Sequence, residues 1–170
     1  MIRNKNKAGV LFMTLIVVTF FSVLIFFFFR GPLDKFHKLE RLTLFLFTSF
    51  VCQHINFKVF SAYDRLSVHE GLIPRIVSFL HYGWIMPMLL MWIFAQYRSG
   101  VSKVLLILYL LGWICFDMLT KKLYLITQML DSKTESWYPA VDVGLSFIIL
   151  LFTSLFFSYF SNIFTREVSH

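Results

Sequence analysis

Twenty-one consecutive residues without a charge, Gly9 to Phe29, lie between a basic segment with Arg3, Lys5 and Lys7 and the triplet Arg30-Gly31-Pro32. A helix of about 20 such residues rises roughly 30 Å, the thickness of a bilayer's hydrocarbon core. A secretory signal has a shorter apolar core, about 7–15 residues, followed by small residues at a cleavage site. This run is longer and ends in four phenylalanines, so it is read as an uncleaved first span closed by Gly31-Pro32. The rest of the chain is built alike: 58% of the 170 residues are hydrophobic and 15% charged, against about 45–50% and 25% in soluble domains.

The expected fold is an all-α polytopic membrane helix bundle. It forms one integral membrane domain over residues 1–170, with five transmembrane helices at about residues 9–29, 42–61, 74–97, 101–120 and 140–164. The second stretch is the least apolar. Its first half suits lipid, but its second half holds Gln53, His54, Asn56 and Lys58. Ser49, Gln53 and Asn56 recur at i, i+4 and i+7, on one helical face that should turn toward other helices rather than lipid. If residues 42–61 lie at the interface instead, four spans remain. Residues 63–71 read as a polar loop, Arg98-Ser99-Gly100 as a tight connection, and residues 121–138 as the longest connector.

A net charge of +7 would suggest nucleic acid in a soluble protein. Here the cations sit between apolar runs, where they anchor to anionic headgroups and set topology, so the expected partner is the lipid bilayer and not nucleic acid. With the N-terminus cytoplasmic, the inner segments hold nine Lys and Arg and the outer ones seven. Cys52 and Cys115 are isolated within apolar segments and read as small buried hydrophobes, not as a disulfide or metal site. No nucleophile elbow, zinc-protease helix, phosphate-binding loop or dinucleotide turn occurs. The chain is therefore read as no enzyme, with no metal and no cofactor.

The third stretch, Pro74 to Tyr97, is the least plain. Pro74 suits a first helical turn. Pro87 is interior, and its missing N–H would have served the carbonyl of Gly83, so a kink is expected there. Trp84, Met88 and Trp92 follow at i, i+4 and i+8, so Gly83, Trp84, Pro87, Met88 and Trp92 form a candidate kink and groove. Ordinary helix packing would give the same pattern. His54 lies seven residues before Ser61, and His81 seven after Pro74. Both then sit about 10 Å inside the same membrane face. Asp117, ahead of Lys121-Lys122, and Asp142, just after Pro139, adjoin that face too. His54, His81, Asp117 and Asp142 are thus a candidate intramembrane polar cluster, in which His81 should lie near a side chain of the second or fifth span. The plainer alternatives are an exposed i,i+4 pair of Asp117 with Lys121, and Asp142 placed in its helix's first turn for the dipole. A haem held by His54 and His81 is a further alternative.

From Arg30 on, the sequence resembles a group of small multi-pass membrane proteins of unknown function from spore-forming Firmicutes. The resemblance is carried by FFRGPLDKF, LIPRI, HYGWIMP, FAQY and Trp137 ahead of the last span. It implies a bacterial plasma membrane and carries no catalytic residue. The expected function is a non-enzymatic subunit, sensor or accessory factor acting through a membrane-protein partner or a second copy of itself. The alternative is a small transport or proton-linked protein using the polar cluster.

Overall fold

The computed structural model describes the backbone of residues 2–62, 66–132 and 138–168, and the side chains of residues 9–58, 66–132 and 138–164. Five helices make up most of it. The first is Ile2–Leu33, the second Lys38–Ala62, the third Leu72–Arg98, the fourth Lys103–Ile126 and the fifth Pro139–Val168. The first, third, fourth and fifth are long and apolar enough to cross a membrane. The second is long enough, at 25 residues, but is interrupted by polar side chains.

Helices two to five close a ring in which each packs on the next and the fifth returns to the second, where Phe47 stacks on Phe156 at 3.7 Å. The first helix lies outside this ring, against the third. The third is therefore covered from several sides: two thirds of its most apolar window is buried, against 17% for the first and fourth helices. A helix hydrophobic all round is the kind that lies at a bundle's centre.

The second and third helices run antiparallel over matching lengths. Glu40 meets Arg98 at one end, and Ser49 and Gln53 meet Gly83 midway. Two short strands tie the connections at the opposite end. β1 (Leu66–Val68) pairs with β2 (Leu130–Ser132) in antiparallel register, Leu66 opposite Ser132 and Val68 opposite Leu130. The loops after the second and fourth helices thus share one face.

Three boundaries differ from expectation. The first helix runs through Gly31 and Pro32 to Leu33, because a proline's missing N–H disturbs only the turn before it. The fourth helix continues past Lys121-Lys122 to Ile126, and its connector is correspondingly shorter. The polar loop and the longest connector hold the β ladder between them, a small exception to an all-α chain. Trp137, the last mark of the resemblance, lies outside the described residues.

Candidate functional site

Lys121 is the centre of the polar cluster. Its Nζ lies 2.8 Å from Oδ2 of Asp117, one turn back on the same helix, and 3.5 Å from Oδ1 of Asp142 on the fifth helix. All three side chains are at most 2% exposed. The pairing of Asp117 with Lys121 is therefore no screened surface bridge. Ions so far from water survive only when paired and hydrogen-bonded. Ser146 supplies part of that: its hydroxyl lies 2.9 Å from Asp117 Oδ2 and 3.0 Å from the carbonyl of Asp142. The ammonium also sits 5.8 Å from the centre of the Tyr82 ring, within cation–π range.

His81 joins from the third helix. Its Nε2 is 3.2 Å from the Thr120 hydroxyl and 4.0 Å from Asp117 Oδ1. That hydroxyl has one proton, which lies within reach of the carbonyls of Phe116, at 2.8 Å, and Asp117. Donated to either, it leaves the oxygen able to accept from Nε2–H; the direction of the Thr120–His81 bond follows the tautomer of the ring. The ring is walled by Tyr82, Phe116 and Tyr124.

Three of the four expected members thus come together: His81, Asp117 and Asp142, from the third, fourth and fifth helices. His54 does not. It is exposed on the outer side of the second helix, with its ring stacked on Phe50 at 5.2 Å. The reason is angular. Ser49, Gln53 and Asn56 define the face turned toward the bundle, and His54 is about 100° around the helix from Gln53. An outward His54 and a buried His81 offer no shared face for a haem, which removes that alternative. The polar partners of His81 lie on the fourth helix, and the fifth is reached through Asp117 and Lys121. Among the described residues no group of three or more His, Cys, Asp or Glu side chains is arranged to hold a metal ion.

The expected kink is a single π turn, His81–Ile85, that opens into the regular helix beginning at Met86. Such turns are widened by one residue and recur at functional sites. The carbonyl that Pro87 cannot serve, that of Gly83, accepts the Ser49 hydroxyl at 2.8 Å from the second helix. Just beyond the π turn, the carbonyl of Met86 accepts the Trp113 indole N–H at 3.1 Å from the fourth helix. Gly83 permits the first contact: a Cβ there would stand 2.5 Å from Gln53 Nε2. The carbonyl that Pro87 leaves is thereby satisfied by a neighbouring helix.

The candidate groove is real for part of its length. Trp84 and Met88 line a crevice between the first, second and third helices. Trp92 has turned away, against Phe29 and Tyr109 on the first and fourth helices. Residues at i and i+8 differ by about 80° on a 3.6-residue helix, enough to change neighbours.

Sequence reasoning missed two ionic features. Lys121 was expected only in an exposed i,i+4 pair with Asp117, and its burial and its contact with Asp142 carried no local signal. Glu40 is 1% exposed, with both carboxylate oxygens 2.8 Å from Arg98 Nη1 and Oε1 3.1 Å from the Ser161 hydroxyl. This pair sits at the opposite end of the bundle from the β ladder. No protein-family model matches this chain, and no curated protein or solved structure does either.

Proposed function

We propose that this chain crosses the plasma membrane of a bacterium five times, N-terminus inside, and acts non-enzymatically as a subunit, sensor or accessory factor through a membrane partner. The observation that carries the reading is the outer face of the second helix. There His54 and Lys58, with Leu46 and Phe50, form a partly polar surface turned away from the bundle. Left against lipid such a strip is costly; a partner helix, from another protein or a second copy of this one, removes the cost. Spanning by the second helix is supported by its matching run beside the third. The orientation rests on the nine-to-seven excess of Lys and Arg, and the bacterial setting on the resemblance to the Firmicute group.

The test places a photo-crosslinking residue at His54 in native membranes, with exposed Ile107 of the fourth helix as control. One adduct of defined mass from position 54, and none from 107, is expected. Labelling confined to lipid at both positions would overturn the partner reading. Reporter fusions at Gly31, Ser67, Ser99, Lys133 and His170 should alternate out, in, out, in, out; Ser67 on the outer side would mean that the second helix does not span.

A proton-linked activity is favoured by one observation, the run of ionisable groups from His81 through Asp117 and Lys121 to Asp142. The closure of that run, with each member nearly inaccessible, favours a lock between helices instead. Proton flux into vesicles carrying the protein, lost in Asp117→Asn, would reverse this ranking.

A further inference from the structure

The crevice that holds Trp84 and Met88 is ordered by polarity along its depth. Its mouth carries Arg30 from the first helix and Lys38 and Arg41 from the second. Inward from these cations come Leu42 and Phe45 on the second helix, Phe26 on the first, and Met91, Met88 and Trp84 on the third. From Met91 to Trp84 is seven residues, about 10 Å of depth. The crevice has a volume of about 590 Å³, within the usual range of about 300–1,000 Å³ for small-molecule sites.

The chemistry at the two ends differs sharply. Of the three cations, Arg41 is held by Asp34 at 2.9 Å, and Arg30 and Lys38 are exposed at the rim. The floor offers no such handle. The Trp84 indole N–H already points at the Ser22 carbonyl, 3.4 Å away, and its ring is flanked by Phe45 and Phe26 at 5.2 and 6.1 Å. Methionines at the floor adapt to irregular apolar shapes. A positive mouth above an apolar, aromatic floor matches one kind of molecule in a bilayer, an anionic lipid with its headgroup at the surface and a chain below.

We infer that this crevice is a binding site for an anionic phospholipid, its phosphate held by Arg30 and Lys38 with Arg41 and one acyl chain laid over Met88 and Trp84. The inference goes beyond the partner reading and does not depend on it. A general attraction of basic loops to anionic headgroups would be spread over every cationic segment; a built site concentrates it at one mouth.

The test is native mass spectrometry of the full-length protein after progressive delipidation from a mixture of equal phosphatidylglycerol and phosphatidylcholine. Phosphatidylglycerol should be retained preferentially, on the order of thirtyfold, as expected when two exposed cations each add about 1 kcal/mol. Arg30→Gln/Lys38→Gln/Arg41→Gln should abolish that preference. Arg75→Gln/Lys103→Gln/Lys122→Gln, which removes the same charge elsewhere, should leave it intact. Glycerol phosphate, a headgroup without a chain, should not displace the retained lipid, and Met88→Ala should weaken retention without altering the headgroup preference. Absence of any preference, its survival in the first variant, or equal loss in both charge variants would each overturn the site.

Discussion

Lys121→Met removes the cation between two carboxylates and keeps most of the side chain's apolar bulk. At an effective dielectric of about 20, unit charges 2.8 and 3.5 Å apart attract by roughly 6 and 5 kcal/mol. Much of that is offset in the wild-type protein by the desolvation of all three ions. Truncating one partner of a buried pair, by contrast, typically costs about 3–5 kcal/mol, because the remaining charge keeps its desolvation penalty. Protonation of a stranded carboxylate limits the loss. The expected drop is therefore about 3–5 kcal/mol, a fall of roughly two to four orders of magnitude in the ratio of folded to unfolded protein. Tryptophan fluorescence during equilibrium unfolding in mixed micelles would measure it. Lys121→Met/Asp117→Asn/Asp142→Asn, which neutralises the whole group, should recover more than half of the loss, since replacing an entire buried ion network is often nearly neutral. A single variant within about 1 kcal/mol of wild type, or a triple variant as unstable as the single one, would refute the argument that these ions are desolvated and mutually dependent.

Two further outcomes follow from the third helix. Gly83→Leu should lower folded yield far more than Leu111→Phe on the exposed side of the fourth helix, by about 1–3 kcal/mol for overpacking, and Gln53→Ala should relieve part of it because Gln53 is the atom group in the way. Ser49→Ala should cost about 1 kcal/mol in the wild type and much less beside Pro87→Ala, where residue 87 regains an N–H for the Gly83 carbonyl; equal costs in both backgrounds would show that the two groups do not share that carbonyl.

Depth was legible in the sequence and azimuth only partly so. The distance of His81, Asp117 and Asp142 from their loops placed them in one half of the bundle without knowledge of any contact, since each helical residue advances a fixed 1.5 Å. Direction around a helix depends on which neighbours it meets. The face of Ser49, Gln53 and Asn56 was readable because three polar residues shared it; His54, off that face, was misjudged on depth alone. Pro87 signalled a disturbed helix, but a kink and a π turn both accommodate the missing N–H, and the donor that takes up the Gly83 carbonyl, Ser49, comes from another helix. Glu40 and Arg98 are 58 residues apart and carried no local signal. The three-residue ladder of β1 and β2 is too short to leave a pattern against its polar loops.

The position of the first helix outside the ring has a consequence for biogenesis. This helix leaves the ribosome first and packs mainly on the third, so for the whole synthesis of the second it has little to hold. It has the most apolar window of the four candidate spans, with a mean hydropathy of 2.8, and can wait alone in lipid. The second helix cannot. The Ser49 hydroxyl and the Gln53 amide meet their cover only when Gly83 arrives, some thirty residues later. On the proposed five-span topology, a chain arrested just after Ala62 would hold its most lipid-tolerant helix beside its least tolerant one, and membrane quality control should recognise the second of these, not the first.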